Sequence, residues 1–108
     1  MSNVIGELYE VIIERKANPS EGSYTCYLFE QGLDKILKKC GEECAEVIIA
    51  AKNGSPDELK NELGDLVYHI LVLMAEAGLP LDDLYRLLED RRKKIGNLKP
   101  AMKADKES

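Results

Sequence analysis

The chain has 108 residues, 44% hydrophobic and 32% charged, with four prolines and eight glycines, which bounds it as one folded domain and excludes a low-complexity or disordered chain. With no Trp, one Phe and five Tyr the core must be mostly aliphatic, and a net charge of −5 argues against a general nucleic-acid binder. The charge is uneven, since residues 1–90 carry 18 acidic against 8 basic side chains and residues 91–108 carry 2 against 7.

The start, Met1-Ser2-Asn3-Val4, has no basic stretch leading into an apolar one, and no apolar run approaches the ~20 residues of a membrane span. A soluble, cytoplasmic protein without a membrane partner is expected. Cys26, Cys40 and Cys44 are odd in number and lack C-x-x-C spacing, which suits reduced, buried thiols better than disulfides or zinc.

Val4, Ile5, Leu8, Val11 and Ile12 recur at helical spacing and predict a first helix from about Asn3 to Lys16, stopped by Asn18-Pro19-Ser20-Glu21-Gly22. Ser23 to Glu30 is ambiguous between a short helix and a packed loop. From Leu33 to about Lys52, the residues Leu33, Ile36, Leu37, Cys40, Cys44, Val47, Ile48 and Ala51 fall within an arc of about 120° and predict a helix packed on one side. Asn53-Gly54 ends it at a left-handed cap, and Ser55-Pro56-Asp57-Glu58 reads as a capping box that starts the next helix. That helix runs to Ala77, with Gly78 closing it. A last helix is predicted from about Leu81 to Ile95, with Leu84, Leu87, Leu88 and Ile95 as its apolar set and Gly96 as its end. The fold class is all-α: a bundle of four to five helices over residues 1–96, its two long central helices antiparallel, followed by a flexible Lys-rich tail, 97–108.

Glu42, Glu43 and Glu46 form E-E-x-x-E on one face of the first long helix, with Glu43 and Glu46 about 60° apart. Glu62 and Asp65, again i, i+3, flank the apolar stripe of the next helix, and His69 lies one turn beyond Asp65. Like charges at these spacings are mildly destabilising, so five acids on neighbouring helices oppose local stability unless a cation reverses the sign. Mg²⁺ prefers carboxylate oxygens and can bridge them to substrate phosphates, whereas zinc prefers nitrogen and sulfur ligands that this cluster lacks. The competing reading is a solvated face, with the glutamates paired to Lys38 and Lys39. Lys before Glu is the weaker orientation for such pairs, and the second acidic pair favours the metal.

The stretch from Gly32 to Gly54, with its G-L-D-K-I-L-K-K, E-E-x-x-E and A-A-K-N-G strings, is followed by Asn61-Glu62-Leu63-Gly64-Asp65-Leu66-Val67-Tyr68-His69. Together with Ser23-Tyr24-Thr25, it resembles the phosphoribosyl-ATP pyrophosphatases of histidine biosynthesis, a branch of the MazG-like all-α nucleotide pyrophosphohydrolases. The resemblance spans roughly residues 5–95. It implies Mg²⁺-dependent hydrolysis, with Mn²⁺ a possible substitute, of the α–β phosphoanhydride of phosphoribosyl-ATP to phosphoribosyl-AMP and pyrophosphate. It carries metal ligation onto Glu43, Glu46, Glu62 and Asp65, makes Glu42 the candidate to hold a further metal or orient the attacking water, and gives Glu42 and Glu46 as the candidate catalytic residues. It also implies a homodimer or a pair of dimers.

Two features depart from the family pattern: the cysteines at 40 and 44, and Gly64 in mid-helix, where a glycine either permits close helix approach or is tolerated at about 1 kcal/mol relative to Ala. Lys35 and Lys39 share the acidic face and are candidate phosphate contacts, with pairing to neighbouring Glu as the alternative. Lys52 is a weaker candidate, because a cation at a helix end also favours the dipole. His69, within one turn of Asp65, is a candidate to contact substrate or to support a residue that does, with a satisfied, semi-buried histidine as the alternative. Tyr24 and Thr25 are candidates for a hydroxyl-rich loop over the substrate, and Ser23 for that loop or a helix cap. Arg91, Arg92, Lys93 and Lys94 read as a solvated helix end, with phosphate contact across a dimer as the alternative. Two other functions compete: a pyrophosphatase clearing non-standard nucleoside triphosphates, and a non-catalytic helical dimerisation module.

Overall fold

A computed structural model of the chain describes residues 3–95, which form five α-helices and no strand. They are α1 (Val4–Ala17), α2 (Tyr24–Gln31), α3 (Leu33–Asn53), α4 (Pro56–Ala77) and α5 (Leu81–Lys94). The expected Gly96 stop and the Lys-rich tail lie outside the described residues.

Three of the helices, α1, α2 and α4, start where a side chain satisfies a free N–H group, whereas α3 and α5 start at Gly32 and Pro80 without one. Asn3 Oδ1 accepts from the Gly6 amide at 3.0 Å, and Ser23 Oγ accepts from the Cys26 amide at 3.2 Å. Ser23 is therefore a cap, and the ambiguous segment behind it is helix α2. Ser55 Oγ accepts from the Glu58 amide at 3.3 Å, with Pro56 at the first helical position, as the capping box predicts. Ser55→Ala should cost about 1 kcal/mol, lowering the melting temperature by roughly 4–8 °C for a chain of this size; a thermal melt checks it.

Two glycines set the corners. Gly32 joins α2 to α3 with φ 92°, and Gly54 closes α3 with φ 76°, ψ 15°, the left-handed region that side chains other than Gly enter at a cost. Only Gly54 and Ser55 separate α3 from α4, so the two long helices fold back on one another. Cys40 Sγ reaches the His69 carbonyl at 3.5 Å, and three residues further along α3 Glu43 faces Asp65, a turn earlier on α4. That is an antiparallel register.

Ile12, Leu28, Ile36, Leu71, Val72, Met74, Ala75 and Leu81 form one core cluster drawn from all five helices. Helix α4 packs against α1, α2 and α3, which places it at the centre. Lys16 Nζ donates to the Ala75 carbonyl at 3.0 Å and Tyr9 Oη to the Leu79 carbonyl at 2.7 Å, tying α1 to the end of α4. The chain then turns by 118° into α5, whose Tyr85 hydroxyl donates to Asn3 Oδ1. No single helix among the described residues is long and apolar enough to cross a membrane.

Two expectations need correction, and one open alternative is resolved. Of the apolar arc on α3, Ile36 is fully buried and Cys40 and Val47 half-buried, but Leu33, Leu37, Cys44, Ile48 and Ala51 are exposed. The arc is wider than α4 can cover. Leu87, Leu88 and Ile95 of the expected α5 stripe are likewise exposed, because α5 swings away and packs through Leu81, Leu84 and Tyr85. A Cβ at Gly64 would meet nothing within 4 Å, so this glycine permits no close helix approach among the described residues.

Candidate metal centre

Helix α4 projects Glu62 and Asp65 one turn apart on one flank, and the antiparallel register brings Glu43 of α3 opposite them. One carboxylate oxygen from each of the three lies within 4.8 Å of the others. Glu43 is well buried, its side chain 12% exposed; Glu62 is half-buried and Asp65 exposed. The group is thus rooted in the helix seam and open to solvent on one side.

Three like charges at this separation repel one another, and Glu62 records it. Burial first, and then the Glu46, Asp65 and Glu43 carboxylates, push its carboxyl above the usual 4.5, with a Glu43 hydrogen bond adding to the effect. Glu46 therefore acts on the group through its charge, although it is exposed and outside the tight set of three. Glu42 is exposed too, and its carboxylate is 3.4 Å from Lys39 Nζ, which also lies 3.9 Å from Glu43. Although burial acts to lower it, the Lys39 ammonium is held above its usual value by the Glu42 hydrogen bond and the neighbouring negative groups. Of the two lysines expected to pair with the glutamates, Lys39 does; Lys38 has no ion pair among the described residues.

The other candidates divide. Lys35 Nζ stands 5.9 Å from the centre of the Tyr27 ring, on the side of α3 that carries Lys39. Lys52 is exposed in the last turn of α3, about 13 Å along the axis from Glu43, so one chain does not bring it to the acids. The Tyr24 hydroxyl contacts His69 Nε2 at 3.0 Å, and Thr25 Oγ1 shares a short hydrogen bond with the Tyr68 hydroxyl. Tyr24 remains 45% exposed. Its hydroxyl is raised first by burial, with Lys39 opposing and Tyr68, Glu43 and Tyr27 adding, so its proton is retained near neutrality. His69 is only 5% exposed and both ring nitrogens are engaged, Nδ1 with the Asp65 carbonyl at 2.7 Å. This is the satisfied histidine of the two sequence alternatives, with no nitrogen free for a substrate.

Tyr68 and Tyr27 went unassigned at the sequence level. The signal for Tyr68 was its place beside His69 and three residues after Asp65; for Tyr27 it was i, i+3 spacing from Tyr24, whose ring it meets at 6.1 Å with planes 24° apart. All three cysteines are free. Cys26 and Cys40 are half-buried, whereas Cys44 is exposed, contrary to the expectation of buried thiols. Burial first, then Cys44 and Glu43, raises the Cys40 thiol and leaves it less reactive. Surface depressions bounded by Tyr85, Arg86 and Arg92, or by Arg15, Ser20 and Cys26, contain none of the acids. The converging carboxylates lie on an open helical face.

The family model for phosphoribosyl-ATP pyrophosphohydrolase matches residues 5–92. The phosphoribosyl-ATP pyrophosphatase of Clostridium novyi (strain NT) is 57% identical over 98 residues, 91% of this chain and 89% of that protein. The protein of the same name from Pelotomaculum thermopropionicum is 58% identical over 92 residues, 85% of this chain and 94% of that one. The histidine biosynthesis bifunctional protein HisIE of Bacillus subtilis (strain 168) is 56% identical over 92 residues, 85% of this chain but only 44% of that longer protein. The match covers all three converging carboxylates and the aromatic residues around them, and the chain belongs to the phosphoribosyl-ATP pyrophosphohydrolase family.

Proposed function

We propose that this chain hydrolyses phosphoribosyl-ATP at its α–β phosphoanhydride, releasing phosphoribosyl-AMP and pyrophosphate in the second step of histidine biosynthesis. The observation that carries this reading is the convergence of Glu43, Glu62 and Asp65 within 4.8 Å in a chain of this family. The donor set is all hard carboxylate oxygen, without nitrogen or sulfur, and its open side leaves room for water and phosphate oxygens. It fits Mg²⁺, with Mn²⁺ as a substitute. When bound, such an ion neutralises phosphate charge and makes a better nucleophile of its water.

The chain's own residues do the rest. Glu43, Glu62 and Asp65 hold the ion, and Glu46 stands where its charge reaches Glu62, as a further ligand or to orient the attacking water. Glu42 shares that face but is held by Lys39, which keeps a positive charge beside the centre. Lys35 and Lys39 supply the cations for phosphate oxygens. Water adds across the bridging P–O bond: its hydroxyl goes to one phosphorus and its proton to the departing phosphate.

The open face also implies a second copy. Leu33, Leu37 and Ile48 of α3, with Leu63, Val67 and Ile70 of α4, are exposed at helical spacing along the same hairpin that holds the acids. Covering them with another chain closes the apolar surface and supplies the missing wall, as a homodimer or a pair of dimers. Within this reading the enzyme works in the cytoplasm.

The test is pyrophosphate release from phosphoribosyl-ATP with Mg²⁺, with and without EDTA, beside a panel of ordinary and modified nucleoside triphosphates. Preferred hydrolysis of phosphoribosyl-ATP, abolished by EDTA, is expected. Equal or faster hydrolysis of the triphosphates would instead make this a house-cleaning enzyme, and no release from any substrate would leave a dimerisation module.

A further inference from the structure

The single histidine has a position that hydrolysis itself does not explain. It is buried one turn past Asp65, on the flank of α4 that carries Glu62 and Asp65, and each ring nitrogen has one partner. A backbone carbonyl only accepts, so the bond to Asp65 requires Nδ1 to carry the proton, and Nε2 of the neutral ring then accepts from the Tyr24 hydroxyl. The imidazole also meets the rings of Tyr24 and Tyr68 edge-on, with centroids 5.8 Å and 5.0 Å away. One residue further along α2, Thr25 bonds the Tyr68 hydroxyl. Two adjacent residues at the start of α2 are thus stapled to two adjacent residues of α4, one turn past a carboxylate of the metal centre.

We propose that His69 is a positioning residue: through the Tyr24 hydroxyl it fixes the first turn of α2 against the turn of α4 bearing Asp65, so that the exposed Tyr24 ring forms one wall of the phosphoribosyl-ATP site. This rests on the function proposed above. The staple does three things. It fixes the Tyr24 side chain, which is close enough to Lys39 and Glu43 to feel both charges. It commits the phenolic proton inward, to the His69 ring. It holds the Asp65 turn through that residue's carbonyl, which the imidazole bonds from the side. Tyr27 stacks on Tyr24 and extends the same wall towards Lys35. A wall that touches substrate before and during reaction contributes binding common to both states, and its loss appears in KM rather than kcat.

Two variants cut the contact from opposite sides. Tyr24→Phe removes only the hydroxyl of a half-exposed ring, and His69→Asn keeps a donor in place of Nδ1 while losing Nε2. Each should raise KM for phosphoribosyl-ATP by about 3–10-fold with kcat little changed, and the double variant should match the worse single one because both remove one bond. In wild-type protein labelled with nitrogen-15 histidine, the one ring should show the Nδ1–H tautomer, and Tyr24→Phe should shift the Nε2 resonance. An active wild type with unchanged KM in Tyr24→Phe, additive effects in the double variant, or an Nε2 signal indifferent to Tyr24→Phe would each overturn the positioning role alone. A wild type inactive on phosphoribosyl-ATP would overturn the functional reading and take the positioning role with it.

Discussion

Glu62→Gln is expected to lower kcat/KM for pyrophosphate release by about 10³-fold or more while making the metal-free protein more stable, not less. Both effects have one cause. A Glu62 carboxylate oxygen lies within 4.8 Å of those of Glu43 and Asp65, and an amide there removes one of the three charges and a mutual repulsion together. The metal-free melting temperature should rise by about 1–4 °C, the scale of relieved like-charge pairs in a chain of this size. The pH dependence follows in sign. Burial, followed by the Glu46, Asp65 and Glu43 charges, raises the folded-state value of Glu62 above its unfolded value, so the folded protein binds that proton more tightly. The associated stability is fully present below the unfolded value and is lost as pH rises through the folded one. Metal-free wild type should therefore gain stability as pH falls from neutral into the carboxylate range, and Glu62→Gln should lack that part of the gain. Added Mn²⁺ should raise the wild-type melting temperature and leave the variant's almost unchanged. Calorimetry in EDTA and with Mn²⁺, beside the pyrophosphate assay, checks each part; a variant active within tenfold of wild type would remove Glu62 from the centre.

The second large effect is on assembly. Ile48 is 63% exposed, and Leu33, Leu37, Leu63, Val67 and Ile70 are each at least 38% exposed on the same helical hairpin. Burying the remaining surface of such a side chain is worth about 1 kcal/mol, and a symmetric pair uses each position twice. A carboxylate forced into that contact without a partner costs several kcal/mol. Ile48→Glu should therefore convert a self-associated protein into monomers in sedimentation velocity. If the proposed second chain walls the carboxylate face, activity should fall with it. A wild type monomeric at all accessible concentrations would refute this account of the apolar face.

Helix boundaries were legible wherever the chain spells a cap. Gly54, Ser55 and Pro56 carry backbone and side-chain requirements that few other contexts satisfy, and the two long helices end and begin where those residues stand. Helix α2 was not legible in the same way. Its eight residues span little more than two turns, too few for periodicity to decide, and what anchors it is the contact of Tyr24 and Thr25 with residues 43–45 positions away. The apolar arc of α3 was read correctly as an arc but not as two surfaces, because a hydrophobic pattern reports how much of a helix avoids water and not which partner covers it. At the candidate site, i, i+3 spacing brought Glu62 and Asp65 together from sequence. Glu43 joined them only through the register of the hairpin. His69 lies on the expected flank, but its distance from solvent is set by α2 closing over it, which no local pattern encodes.

The link between α3 and α4 has a consequence for how this chain tolerates change. Gly54 is the left-handed cap of one helix and Ser55 the side-chain cap of the next, so neither is a spare residue that can absorb a length change. An inserted residue that extended α4 backwards would rotate Glu62 and Asp65 by about 100° relative to Glu43. Surface turns are ordinarily where proteins accept insertions most readily. Here the turn acts as a ruler for the distance between carboxylates on different helices, and its length is under the same constraint as their convergence.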